Sequence, residues 1–205
     1  MPMRAVIADL PKHWLKERMN SEIGQWDEMW NGVLHMPPMP NRMHQLFAFR
    51  LQSYLWEHWA KPCGSQVNQE VNLTTPEDEA QWTHNYRIPD LVLLTPDRFG
   101  IEKNEYMAGA PLVVVEVKSP NDETYDKFPF YAALGVPEVW VFDRTTRVPE
   151  LYTLGAAAAY EPVPAGPDGW IASPATGVEF RPTGTGKVTA QMVGDPASAT
   201  ELPDT

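Results

Sequence analysis

Residues 87 to 127, RIPDLVLLTPDRFGIEKNEYMAGAPLVVVEVKSPNDETYDK, contain two apolar runs that each carry a carboxylate where a core strand normally has none. In the first, Asp90 sits among Ile88, Leu91, Val92, Leu93 and Leu94; in the second, Glu116 and Lys118 interrupt Leu112, Val113, Val114, Val115 and Val117. Desolvating a lone charge costs several kcal/mol unless it is paired or bound to a metal. These charges therefore need partners, and the natural partners are each other and a cation. Side chains alternate across a strand, which puts Val114, Glu116 and Lys118 on one face, the last two about 7 Å apart at ~3.3 Å rise per residue. If the strand of Asp90 lies alongside, both carboxylates converge beside Lys118. Two hard oxygen donors with room for water suit magnesium, with manganese as a substitute.

The run Pro89-Asp90, followed by Glu116-Val117-Lys118, is similar to the PD-(D/E)XK nuclease signature. The surrounding blocks are more specific. RIPDLVLLTPDR, PLVVVEVKSPNDE, KFPFYAALGVPEVWVFD and VPELYTL, in that order, resemble the Uma2 family of restriction-endonuclease-like proteins over about residues 22 to 185. The resemblance implies a nuclease acting on nucleic acid, with DNA as the expected substrate, and a homodimer by analogy with enzymes that cut two strands. It implies an α/β fold with a restriction-endonuclease-like mixed sheet, flanking helices and peripheral hairpins. Asp90, Glu116 and the Val117 carbonyl would hold magnesium, and Lys118 would assist the attacking water. Lys127 matches a lysine that relatives carry on the following helix, often in place of the one after the glutamate. This chain has both, and Lys127 reads either as an auxiliary phosphate contact or as a surface lysine. His44 matches a histidine common at its place in the family. It is either a rim residue near phosphate or a half-buried, hydrogen-bonded histidine.

Outward from this stretch, Asn31-Gly32 marks a tight turn in QWDEMWNGVLHM, and Pro37, Pro38 and Pro40 end strand pairing. Met43, Leu46, Phe47, Leu51, Tyr54 and Leu55 recur at helical spacing, predicting a helix over 42–59 capped by Asn41. SQVNQEVNL, residues 65–73, reads as a half-buried strand with Glu70 facing solvent. A second helix is expected from about Asp126 to Leu134, with Pro129 in its first turn and Gly135 as its stop. EVWVFD then forms a strand parallel to the Glu116 strand, and VPELYTL pairs back on it. After Gly155 the composition shifts to Ala, Gly and Pro, with short strands near 169–172 and 177–180. The expected organisation is one nuclease domain over 1–193, hairpin included as periphery, and a flexible tail over 194–205.

The 205 residues suffice for one substantial core. No run approaches the ~20 apolar residues that span a bilayer. The first fourteen residues lack the apolar centre of a secretion signal, and Cys63 is the one cysteine, so a cytoplasmic setting is expected. The net charge of −11 opposes tight, non-specific grip on phosphates. It favours the alternative that the fold is a catalytically silent scaffold or interaction module.

Overall fold

The computed structural model describes residues 5–8, 11–19, 21, 24–120 and 122–203. The ends of the expected domain and tail, residues 1–4 and 204–205, lie outside the described residues.

The two decisive runs are neighbours in a six-stranded mixed sheet. It comprises β4 (Gln66–Gln69), β7 (Leu91–Leu94), β9 (Val113–Lys118), β10 (Glu138–Asp143), β11 (Pro149–Leu154) and β12 (Tyr160–Pro162), ordered β12-β11-β10-β9-β7-β4. β7 lies antiparallel to β9, with Leu91 opposite Val115, and β10 lies parallel to β9, as the strand–helix–strand pattern predicts. Every residue of β7 is buried because both faces of the sheet are covered. Each such Leu or Val contributes roughly 1.5–3 kcal/mol of burial.

On one face, Leu91, Leu93, Val113, Val115 and Val117 meet Phe47, Leu51 and Leu55 of helix α2 (Arg42–Leu55). The Asn41 side chain accepts from the His44 N–H, capping α2 as expected. The helix continues through a π turn, Trp56–Ala60, into α3 (Lys61–Cys63), where Pro62 has no N–H to donate to the preceding turn. On the other face, Val92, Leu94, Val114, Val139 and Val141 meet Tyr131 of α4 (Phe128–Leu134). A short 3-10 turn, Tyr125–Lys127, leads into α4 and leaves Pro129 in the first turn. Glu116 continues the face of Val114 and so lies under α4. A further short helix, α1 (Lys12–Met19), stands near the chain start.

A second six-stranded sheet, ordered β1-β3-β2-β6-β5-β8, contains β1 (Ala5–Ile7), β2 (Glu28–Trp30), β3 (Val33–Met36), β5 (Leu73–Thr74), β6 (Tyr86–Arg87) and β8 (Met107–Ala108). Its β2–β3 hairpin turns at Asn31 and Gly32, both with positive φ (50° and 83°), as the Asn-Gly signal requires. The run 65–73 is split between the sheets. Glu70 takes φ of 51°, ends the β4 segment and redirects the chain into β5. Likewise β6 belongs to one sheet and β7 to the other. Pro89-Asp90 therefore sits at the joint between them.

The third sheet, β13 (Ile171–Ala172), β14 (Val178–Pro182), β15 (Val188–Met192) and β16 (Asp195–Leu202), corrects the expected flexible tail. β16 pairs antiparallel with β15, and Leu202, 2% exposed, joins Val178, Phe180, Val188 and Ala190 in the core shared with α2. Ala, Ser and Thr give β16 almost no apolar signal, and Ser198 and Leu202 are its buried residues.

Candidate active site

Asp90, Glu116 and Val117 line one cleft between the central sheet, the start of α2, the hairpin and the lead-in to α4. Asp90 is fixed from two sides. Its Oδ2 accepts the Val117 N–H at 2.6 Å, and its Oδ1 lies 2.7 Å from His44 Nε2. Pairing of β7 with β9 ends at Leu91 opposite Val115, and Asp90 turns in beyond it to take the next free amide. The capped first turn of α2 brings His44, 7% exposed, to this carboxylate. Burial works against charging the imidazole. The Asp90 carboxylate, supported by Glu116 and Glu70, outweighs it and holds the His44 pKa above its usual value. His44 Nδ1 is buried without a hydrogen-bond partner among the described residues.

Glu116 is 4% exposed. Its Oε1 accepts from the Tyr131 hydroxyl at 2.5 Å, and Lys127 Nζ stands 3.1 Å from Oε1 and 3.2 Å from Oε2. Burial, opposed by Lys127 and reinforced by Asp90 and Glu28, raises the Glu116 carboxyl to about 8. Lys127 Nζ also lies 2.8 Å from Glu28 Oε1. Burial disfavours the ammonium, but Glu116 and Glu28 more than offset this and raise its pKa.

Lys118 is not in this group, contrary to the expectation from spacing. It shares a face with Glu116 but leans the opposite way, across β10. Its Nζ donates to the Tyr125 hydroxyl at 2.9 Å and pairs with Glu150 on β11 at 3.4 Å. Beyond Val115, β9 is flanked in this sheet by β10 alone among the described residues, and Glu150, one strand further, is the carboxylate that pairs with Lys118. Hydrogen bonding to Tyr125, helped by Glu150, holds the Lys118 ammonium pKa above its usual value. Lys127, reached through the helix rather than the strand, is the lysine beside Glu116.

Glu28, Tyr131 and Glu70 are site residues that the sequence reading did not single out. Glu70, expected in solvent, lines the cleft and accepts from Gln45 Nε2 at 3.1 Å. The spacing of Lys127 and Tyr131, four apart on one helix face, was a usable signal for Tyr131. Nothing local marks Glu28, which enters from the second sheet.

The cleft carries an excess of negative charge. Glu28, Glu70, Asp90, Glu116, Asp122 and Glu123 line it against Lys127 and His44. Two of these acids are engaged elsewhere. Asp122 caps the Ser119 and Thr124 amides, and Glu123 pairs with His35 at 3.0 Å. Among the described residues, no three His, Cys, Asp or Glu side chains form a ready-made metal cage. The donor set instead fits a hard ion held by two carboxylates and completed by a carbonyl, water and substrate oxygen, as magnesium sites commonly are.

No curated protein matches the chain. Among solved structures, it is similar to one titled "Crystal structure of a putative nuclease belonging to DUF820 from Anabaena variabilis ATCC 29413". The TM-score is 0.58 at 19% identity, over 78% of this chain and 88% of that one, which shows a shared α/β fold with a mixed sheet. The family model Uma2, described as "Putative restriction endonuclease", matches residues 18–183. With this match over most of its length, the chain belongs to the Uma2 family.

Proposed function

We propose that the protein is a magnesium-dependent endonuclease that hydrolyses phosphodiester bonds in DNA. The observation that carries this reading is the meeting of Asp90 and Glu116 in one cleft, with Lys127 paired to Glu116 and His44 to Asp90. Asp90, Glu116 and the Val117 carbonyl are the groups that would hold magnesium or manganese. Such an ion supplies Lewis acidity and positive charge at the scissile phosphate. His44 and the Val117 amide fix the two Asp90 oxygens, so this ligand is oriented before substrate arrives. The Tyr131 hydroxyl orients Glu116 in the same way. Lys127 takes the role that spacing suggested for Lys118: its ammonium orients the attacking water and offsets charge building on the phosphate. Lys118, held by Glu150 and Tyr125, serves the surface beside the cleft. Among the described residues no helix is long and apolar enough to cross a membrane. A cytoplasmic homodimer, one cleft per strand, is the form this reading expects.

The test is cleavage of plasmid and single-stranded DNA with magnesium, together with a thermal shift in manganese. Asp90→Ala and Glu116→Ala should abolish both. A wild-type protein that neither cuts nor binds a divalent ion at millimolar concentration refutes the reading. The net charge of −11 and the acidic cleft favour a second reading, a silent nuclease-fold interaction module. Manganese binding without cleavage of any nucleic acid would select it.

A further inference from the structure

Glu28 lies in the N-terminal hairpin, a segment that the sequence reading places at the periphery. It is nonetheless 3% exposed, among the most deeply buried carboxylates described. Its oxygens take three donors. Oε2 accepts from the Trp30 indole N–H at 2.8 Å, and Oε1 accepts from the Ile88 N–H at 2.8 Å while facing Lys127 Nζ at 2.8 Å. Ile88 is two residues before Asp90. One oxygen thus joins the segment carrying Asp90 to the ammonium that serves Glu116. The hairpin is also clamped to α4. The Arg87 guanidinium lies between the rings of Trp30 and Phe130, at 4.2 and 4.3 Å from their centroids.

The geometry points to Glu28 as a positioning residue that shares Lys127 with Glu116, holding the ammonium back to 3.1 and 3.2 Å from the Glu116 oxygens so that a divalent cation can compete for them, and keeping the ammonium aimed at phosphate. An ammonium has three donors and no preferred direction among carboxylates of equal access. Lys127 Nζ stands 3.1 and 3.2 Å from the two Glu116 oxygens; with Glu116 as its one carboxylate partner it would draw in further on both and compete more strongly with a cation for the same lone pairs. A second carboxylate at 2.8 Å divides that attraction. Glu28 therefore acts through Lys127 rather than on the substrate. The role presupposes the metal-dependent chemistry proposed above, but it assigns the hairpin to the catalytic centre.

The test is a double-mutant cycle of Glu28→Gln and Lys127→Met on the full chain. It is read by manganese affinity in calorimetry and by cleavage of a single-stranded oligonucleotide and a plasmid. Glu28→Gln keeps an acceptor for Ile88 and removes the charge that faces Lys127. Alone it should weaken manganese binding about tenfold and lower kcat at least as much, with KM nearly unchanged. In the Lys127→Met background the same change should move manganese affinity by no more than about twofold, because coupled residues are non-additive. Equal effects in both backgrounds overturn the role while leaving the nuclease reading intact. A wild-type protein that neither binds manganese nor cuts removes both. Should Glu28→Gln fail to fold, Glu28→Asp, which withdraws the charge by one methylene, gives the same comparison.

Discussion

Exchanging each of the two lysines for methionine separates the arrangement seen in the structure from the one suggested by spacing. Lys127 is 12% exposed along its side chain and stands between carboxylates that are themselves 4% and 6% exposed. Lys127→Met leaves the Glu28 carboxylate buried without its counter-charge and Glu116 without its donor, a change that costs about 3–5 kcal/mol when a buried pair is broken. Lys118 is 25% exposed and its partner Glu150 34%. Breaking such a solvent-screened pair costs about 0.2–1 kcal/mol. At about 2–4 °C per kcal/mol for a chain of this size, Lys127→Met should lower Tm by roughly 6–20 °C and Lys118→Met by a few degrees at most. The first loss depends on pH. The Lys127 charge pulls the Glu116 carboxyl down, to about 8 against the push of burial; without it the carboxyl titrates higher. The variant therefore keeps losing stability with rising pH where the wild type has already ionised Glu116, and the loss should grow as pH rises from 7 to 9. Urea unfolding at pH 7 and 9 measures this, and plasmid cleavage measures the functional half. Lys127→Met should remove cleavage, and Lys118→Met should retain it within about tenfold, as general acid–base roles are worth about 10²–10⁴. Loss of cleavage in Lys118→Met alone, with Lys127→Met active and stable, would refute the assignment.

Manganese affinity should rise by up to about tenfold per pH unit below 8 and level off above it, because the ion must displace a proton from Glu116; a flat profile in calorimetry from pH 6 to 9 removes Glu116 from the ligand set. Metal should also stabilise the fold more at high pH. The unfolded chain ionises Glu116 near its ordinary value and the folded chain only near 8, so apo stability declines across that window and a bound cation reverses the decline; equal manganese-induced shifts in Tm at pH 6 and 8.5 count against this. Phe180→Ala, at a fully buried ring packed on Trp140 and Phe142, should cost about 3–5 kcal/mol in chemical unfolding. Deleting residues 194–205 should likewise destabilise the protein, and an unchanged unfolding midpoint would restore the flexible-tail reading.

The sequence alone determined the central sheet and its two acids. Unbroken Leu and Val runs of strand length can be satisfied only between two covering layers, and a carboxylate inside such a run must be partnered. Asn31-Gly32, Asn41 and Gly135 fixed turn, cap and stop through local backbone chemistry, so those boundaries were legible as well. The partners of the acids were not. Alternation correctly put Lys118 on the face of Glu116, but a strand position does not say toward which neighbour a long side chain leans. That depended on β7 ceasing to pair after Leu91 and on Glu150 standing two strands away. Glu28 and Glu70 reach the cleft because the chain passes between two sheets at residues 70 and 87–91, a relation with no local signature. The C-terminal sheet was hidden for a different reason: β16 offers Leu202 as its buried apolar side chain, and that residue meets Val178, Phe180, Val188 and Ala190 only in the assembled core.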